Sequence, residues 1–291
     1  MSDPTFAPPT RHEGFVPSLL GIEQVRAQLE AQPWWQATDD QVKETVLALP
    51  TSSPKVGERA PDENCIGYLR HLAQRPCEGG GVRLRRLLEV LVPKCRPIFG
   101  IFTQFEVQGI DDPTKVFAYQ YVSWRHGPDC GAKGIVLVEG HEGISHLIVL
   151  TGFSFAVGAN TFDSVGGFAG IDEAGIEKMM ARYKTELAEE LGVPDLKIKQ
   201  VHNLGRIHPD RGLSNECPAI FAGVVDASQA SRIVQGTSFN PDPFEMRAGP
   251  LVVPVENLWG PQGLIEVSTD AFFHAAVLRA MNRGLLPTPS L

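Results

Sequence analysis

The stretch that decides the fold begins with Gly166-Gly167-Phe168-Ala169-Gly170-Ile171-Asp172-Glu173. After eleven further residues it continues as Thr185-Glu186-Leu187-Ala188-Glu189-Glu190-Leu191-Gly192-Val193. At 100° per residue the second part predicts a helix whose glutamates share an arc of about 100° beside an apolar stripe. Asp172 is the predicted N-cap, and Gly192 followed by Pro194 is a typical stop signal.

The three glutamates of this helix, Glu186, Glu189 and Glu190, are the candidate functional residues. Like charges on one helix face repel one another, and a divalent cation that prefers oxygen ligands, such as Mg²⁺, would relieve that repulsion. The alternative interpretation is an acidic, solvated helix face that serves solubility alone. The charges by themselves do not decide between a metal site and such a surface.

The flanking residues favour a metal site, because the segment resembles the Nudix box. That pattern reads Gly, five residues, Glu, seven residues, then Arg-Glu-aliphatic-any-Glu-Glu-any-Gly-aliphatic. The second half matches at every fixed position except the arginine, which is Thr185 here. In the first half, Gly167 and Glu173 keep the five-residue gap, but eleven residues separate Glu173 from Thr185. Alternatively, Glu177 keeps the seven-residue gap and the glycine is too distant.

The missing arginine matters because in Nudix hydrolases it orients the catalytic glutamates beside it. Arg182 is the candidate substitute, since it lies four residues before Glu186 and therefore on the same side of the helix. It is equally interpreted as an ordinary surface partner of that glutamate.

The resemblance spans roughly residues 97–287 and is nearest to the ADP-ribose pyrophosphatase and nucleotide-sugar branch. It is carried by residues 203–225, by Phe244-Glu245-Met246-Arg247 before an apolar strand at 250–255, and by a predicted closing helix from about residue 263 to 284. The branch has a Ser-Pro-Gly loop where this chain reads Pro209-Asp210-Arg211-Gly212. This difference leaves the substrate open.

The resemblance implies an α/β fold, a Nudix-like α/β/α sandwich with a mixed sheet. It implies Mg²⁺, with Mn²⁺ as an alternative, held by Glu186, Glu190 and the carbonyl of Gly166. The implied reaction is hydrolysis of a nucleoside diphosphate linked to another group, X, with Glu186 and Glu189 catalytic and Glu245, or else Glu216, accepting the proton. The implied substrate contacts are Arg206, His208, Arg211 and Glu216.

A second function class stays open, because fold alone does not assign function. Nudix-like folds also occur in sugar-nucleotide lyases or dehydratases and in ligand-sensing binding proteins. Such roles keep the cleft and need neither the box arginine nor the full metal set.

The chain divides near residue 95 into an N-terminal mainly helical segment, 1–95, of unknown role and a Nudix-like domain, 96–291. Helical periodicity is predicted at residues 21–32, 39–49, 62–74 and 82–92. Strands are predicted at 98–107 and 115–124, and a hairpin at 134–139 and 146–150. Because the related pyrophosphatases dimerise through N-terminal strands, we expect a homodimer through residues 98–124.

Composition predicts a soluble protein of enzyme size, and cysteine usage predicts a cytoplasmic setting. The resemblance implies that its partner is a small molecule, a nucleotide diphosphate derivative. The net charge of −8 disfavours nucleic-acid backbone binding, and no apolar run is long enough for a membrane span. The five cysteines are too irregularly spaced for a disulfide framework. Cys217, near the predicted site, is interpreted as a small buried hydrophobe rather than a nucleophile.

Overall fold

The computed structural model describes residues 18–49, 61–93, 98–124, 127–154, 157–210, 212–237 and 248–288. Within these ranges, every helix is too short or too polar to cross a bilayer. The chain forms two sheets, one in the N-terminal part and one in the C-terminal part, with helices packed on each. The predicted α/β class is therefore confirmed.

The N-terminal part consists of four helices and an antiparallel sheet. The helices predicted at 21–32, 39–49 and 62–74 are confirmed with slightly different ends. The sheet has the order β1-β2-β3-β4. The elements are α1 (Ile22–Glu30), α2 (Pro33–Gln36), α3 (Asp40–Leu47), α4 (Pro61–Ala73), β1 (Glu78–Gly79), β2 (Val82–Leu91), β3 (Gly100–Gly109) and β4 (Val116–Trp124).

The helix predicted at residues 82–92 is wrong, because this segment is strand β2. Its leucines at 84, 87, 88 and 91 follow the i, i+3, i+4, i+7 spacing of a helix. In the sheet that spacing has a different cause. The pairing of β2 with β3 shifts register twice, between Leu84 and Arg86 and between Leu87 and Glu89, and each β-bulge resets the alternation of faces.

One hydrophobic core joins the four helices to this sheet. Trp34 and Trp35 are buried in it, and the ring of Trp34 meets Phe105 of β3 edge-on at a centroid distance of 5.3 Å. The tryptophan pair is therefore a packing anchor. The division proposed near residue 95 falls between β2 and β3, which pair along their length.

The second sheet has the order β10-β6-β5-β9-β8, with β7 paired to β6. Strands β5 and β9 run parallel and the other pairs are antiparallel, so the sheet is mixed as predicted. The hairpin predicted around residues 140–143 is confirmed as β5–β6. The strands are β5 (Ala132–Gly140), β6 (Gly143–Ser154), β7 (Ala159–Asp163), β8 (Ile198–Arg206), β9 (Ala219–Asp226) and β10 (Ala248–Pro254).

Helices cover both faces of the second sheet. Helix α5 (Ile176–Glu190) packs on one face and α8 (Ala271–Asn282) on the other, each over its own apolar core. The short helices α6 (Ala227–Ala230) and α7 (Leu264–Val267) and a 3₁₀ turn (Val255–Leu258) complete the layers. This arrangement is an α/β/α sandwich.

Two glycines of the sheet let α5 approach closely. A Cβ at Gly134 would lie 3.0 Å from the Tyr183 ring, and one at Gly223 would lie 3.1 Å from Leu187. The buried Tyr183 stacks on Phe221 and donates its hydroxyl hydrogen to the Ile135 carbonyl at 2.7 Å. The middle of α5 is thus fixed to the centre of the sheet.

Two predicted helix boundaries are wrong. Helix α5 begins at Ile176 with Gly175 as N-cap, so Asp172 does not cap it and instead lies exposed, 3.7 Å from Arg70. The single closing helix predicted from about residue 263 to 284 is broken into α7 and α8 at an extended Ser268. Asp270 starts α8 by accepting the Phe272 N–H at 2.8 Å.

Candidate active site around Gly166 and helix α5

The last two turns of α5 place two carboxylates against the glycine pair that precedes the helix. Glu190 accepts the N–H of Gly166 at 2.7 Å. Glu186 packs so closely on Gly167 that a Cβ there would lie 2.2 Å from the carboxylate carbon. Gly166 itself has φ of +139°, a conformation that side chains rarely adopt. The predicted grouping of Gly166, Glu186 and Glu190 therefore exists in space.

Arg182 links the two halves of the sequence pattern. It donates to both carboxylate oxygens of Glu173, at 2.8 and 3.0 Å, and its other terminal nitrogen lies 3.7 Å from Glu186. Glu177 is exposed on the first turn of α5. The structure thus brings Glu173, and not Glu177, to the arginine beside Glu186.

The pKa of Glu173 reflects this pairing. Burial alone would raise it, but the hydrogen bonds from Arg182 and from the Gly170 N–H outweigh burial and hold the pKa below its ordinary value. Thr185, at the box arginine position, is exposed and bonds only back to the Ala181 carbonyl of its own helix. The cationic partner of Glu186 therefore comes from one turn earlier.

A lysine missed in the sequence contacts the same glycine turn. Lys133, on β5, donates to the Gly166 carbonyl at 3.0 Å. Its charge also acts on Asp163 and Glu216, since it opposes the rise that burial causes in the pKa of each carboxyl group. Its signal in the sequence was a lone charge within the apolar run of residues 130–138.

Glu216, in the loop before β9, is linked to this arrangement by the charge of Lys133. Burial raises its pKa above the ordinary value, Lys133 lowers it, and Asp270 raises it further. A carboxylate with a raised pKa is a better proton acceptor near neutral pH than an exposed one. Glu245, the other predicted acceptor, lies outside the described residues, as does Arg211.

The remaining predicted substrate contacts lie in two other places. Arg206 forms an ion pair with the buried Asp129 and donates to the Cys217 carbonyl at 3.2 Å. Asp129 also accepts the Gly175 N–H at 3.0 Å, which anchors the start of α5. His208 is exposed, with Nδ1 3.0 Å from the Glu216 carbonyl.

Glu189 points away from the glycine turn. It is exposed and lines a groove of about 840 Å³ on the outer side of α5, together with Thr185 and Leu196. The hydrogen bond to Glu173 mainly causes the rise in the pKa of Arg182, and the charge of Glu189 adds slightly to that rise. The structure therefore separates Glu189 from Glu186 and Glu190, although all three lie on adjacent helical turns.

Burial disfavours the thiolate form of the two cysteines near the site. Burial raises the pKa of Cys217 to about 11 and raises that of the fully buried Cys130 as well. Thiolate is the nucleophilic form. Cys217 lies buried just before β9, as a small hydrophobe would.

The chemistry of the donor set fits a hard cation. Across the described ranges, no three His, Cys, Asp or Glu side chains form a group that could hold a metal ion. The predicted set is different in kind, since it combines two carboxylates with one backbone carbonyl. All are oxygen donors of the type Mg²⁺ and Mn²⁺ prefer, and the Gly166 carbonyl already accepts from a cation, Lys133.

Comparisons with known proteins give similarities among solved structures. No family model matches the sequence, and no curated protein matches it. Among solved structures, the chain is similar to a crystal structure of an ADP compounds hydrolase, with 11% sequence identity and a TM-score of 0.43. The match covers 69% of this chain and 96% of that one. Similarity at this level assigns neither an activity nor site residues.

Proposed function

We propose that the protein is a Nudix-type hydrolase that cleaves a nucleoside diphosphate linked to a group X, of the ADP-ribose or nucleotide-sugar class. The observation that carries the proposal is the seating of Glu190 on the Gly166 N–H and of Glu186 on Gly167. Glu190 meets a glycine 24 positions earlier in the sequence, as expected from the box pattern. An acidic helix face that served solubility alone would have no reason to meet a glycine pair.

In this proposal Glu186, Glu190 and the Gly166 carbonyl would hold Mg²⁺ or Mn²⁺, which when bound screens the diphosphate charge and lowers the pKa of water. Water adds to one phosphorus, the bridging P–O bond breaks, and a nucleoside monophosphate and phosphorylated X leave. Glu216, or Glu245, accepts the proton of the water. Arg182 orients Glu186, and Lys133 adds positive charge beside the phosphates.

The test is product release from a substrate panel. Purified protein is incubated with Mg²⁺ and ADP-ribose, sugar nucleotides or dinucleotides, and nucleoside monophosphate is quantified. The proposal expects release from at least one substrate, loss of release on chelation, and partial recovery with Mn²⁺. Binding of a sugar nucleotide with no release from any substrate would refute it.

Arg182→Ala is expected to lower kcat by about tenfold to a hundredfold with little change in substrate KM. The guanidinium lies 3.7 Å from Glu186, and its loss frees the carboxylate to leave its position. Arg182→Lys should recover only part of the rate, because lysine cannot make the paired hydrogen bonds to Glu173. Steady-state kinetics checks this result, with thermal unfolding as the control for folding. An unchanged kcat in a folded Arg182→Ala protein would assign Arg182 a surface role.

One observation favours a second candidate function, a sugar-nucleotide lyase or dehydratase, or a ligand-sensing protein. Lys133 already donates to the carbonyl that would serve a metal. A resident ammonium there could position a diphosphate without a divalent cation. Binding of a sugar nucleotide that is independent of Mg²⁺ and weakened by Lys133→Met would support this candidate.

We also propose a homodimer, acting on its small-molecule substrate in the cytoplasm. Strand β4 is the edge of the first sheet, and it exposes Val116 and Phe117, the latter 49% exposed. An exposed apolar sheet edge favours pairing with a second chain.

Light scattering after gel filtration should give twice the monomer mass, and Phe117→Glu should shift the protein to monomer. A monomer in the unmodified protein would contradict the assembly.

A further inference from the structure

A cavity of about 220 Å³ lies between the N-terminal part and the loop that precedes β9. Helix α4 and strand β4 contribute to one side, and His208, Ser214 and Asn215 contribute to the other. The cavity is set apart from the glutamates of α5, none of which lines it. Its lining includes Arg75, His71, Tyr119, Tyr121, His208 and Ser214.

Arg75 is a charged residue of this cavity and has no role in the candidate active site around Gly166. Its guanidinium stacks on the ring of Tyr121 at 4.6 Å and on that of Phe105 at 5.4 Å. Within the described part of the chain, no carboxylate pairs with it. The rings hold the planar group in one orientation. One N–H lies within hydrogen-bonding reach of the Tyr121 hydroxyl, and the guanidinium has further N–H donors for an acceptor.

The lining offers this arginine no negative charge. Among the residues that the structure describes, the lining contains no aspartate or glutamate, although the chain as a whole carries a net charge of −8. His71 stays neutral, because burial and the nearby Arg75 lower its pKa to about 3. The cavity is therefore a local positive site in an acidic protein.

Hydrogen-bond donors from the opposite loop complete the lining. The Ser214 hydroxyl accepts the Glu216 N–H at 3.0 Å, so its own hydrogen remains to be donated. Asn215 is fixed by bonds to the Trp124 N–H and the Ser123 hydroxyl. These bonds hold the loop against β4 and set the distance between Ser214 and Arg75.

We propose that this cavity binds a phosphate-type oxyanion, with the Arg75 guanidinium as the charged partner and the Ser214 hydroxyl as a second donor. Guanidinium and phosphate match in geometry as well as charge. Pockets for drug-sized ligands measure about 300–1,000 Å³, and this smaller volume suits one phosphoryl group or a free ion. The proposal stands without the hydrolase proposal.

Titration with inorganic phosphate in the absence of divalent metal tests the site. Calorimetry on the full chain should detect phosphate binding, and Arg75→Gln should weaken it by at least about tenfold. Arg85→Gln is the matched control, since it removes the same charge from the first sheet at an exposed arginine paired with Glu106. Binding equal to the unmodified protein is expected for this control. No phosphate binding, or equal binding in the Arg75 and Arg85 variants, would overturn the proposal.

Ser214→Ala keeps the test decisive if Arg75→Gln fails to fold. It removes the second donor without touching the stacked rings, and it should weaken phosphate binding by about threefold to tenfold. Unchanged binding in this variant would also count against the site.

The source of the oxyanion is resolved by a second titration. Ribose 5-phosphate that binds more tightly than inorganic phosphate, and depends on Arg75, would identify a phosphoryl group carried on a larger ligand. Tighter binding of inorganic phosphate would identify a free ion. Binding of ribose 5-phosphate that is insensitive to Arg75→Gln would overturn the role of Arg75.

Discussion

Glu190→Gln should reduce diphosphate hydrolysis by about a hundredfold or more and weaken Mg²⁺ binding, while the protein stays folded. The glutamine oxygen can still accept the Gly166 N–H, which Glu190 now accepts at 2.7 Å. What is lost is the negative charge that a hard cation requires. Glu186→Gln should behave similarly, because its carboxylate lies on the adjoining Gly167.

Kinetics on the responsive substrate and a direct metal titration measure the two losses separately. Glu177→Gln is the matched control, since it neutralises an exposed glutamate on the same helix away from the glycine pair. We expect that variant to keep its activity and metal affinity. Metal affinity that stays unchanged in both Glu186→Gln and Glu190→Gln would remove these residues from any metal site.

Gly166→Ala should mainly reduce stability, whereas Gly167→Ala should mainly reduce metal binding and turnover. At Gly166 a Cβ would lie 2.1 Å from the Ala132 carbonyl oxygen, and φ is +139°. Neither the strand backbone nor this conformation can yield cheaply, so Gly166→Ala should destabilise the fold by about 3 kcal/mol or more. Denaturant unfolding measures the loss.

At Gly167 the obstacle is the end of a flexible side chain. The Cβ would meet the Glu186 carboxylate at 2.2 Å, and the glutamate can turn away. Gly167→Ala should therefore cost about 1 kcal/mol of stability yet remove most metal binding and turnover. Full activity in a folded Gly167→Ala protein would mean that the present position of Glu186 is not needed.

Much of the second sheet could be predicted from local pattern. The β5–β6 hairpin shifts register at one place, between Val138 and Glu139 beside its turn, so the pairing of residues 136–138 with β6 is regular. Gly192 ends α5 with φ of +65° as a C-terminal glycine should. Strand β2 could not be predicted in the same way, because its two register shifts are set by pairing with β3. Bulges depend on the partner strand, which local periodicity does not contain.

The candidate site was predictable only where it lies within one motif. The resemblance to the Nudix box grouped Glu186, Glu190 and Gly166. The four-residue spacing offered Arg182 either as a substitute cation or as a surface partner of Glu186. Lys133 could not be inferred, because it reaches the Gly166 carbonyl across 33 residues from a neighbouring strand. The hydrogen bond from the Gly175 N–H to Asp129 joins residues 46 positions apart, so it could not be inferred either. It helps to fix where α5 begins.

The clamp that Tyr183, Gly134 and Gly223 form beneath α5 has a thermodynamic consequence for any ligand of the glutamates. Contact with the sheet orders the helix. Much of the conformational entropy of the backbone that carries the carboxylates is therefore lost when the chain folds. A cation or diphosphate that binds to the folded chain would not have to order the helix first. Any affinity of this site for a cation would therefore depend in part on the hydrophobic core on the opposite side of the helix.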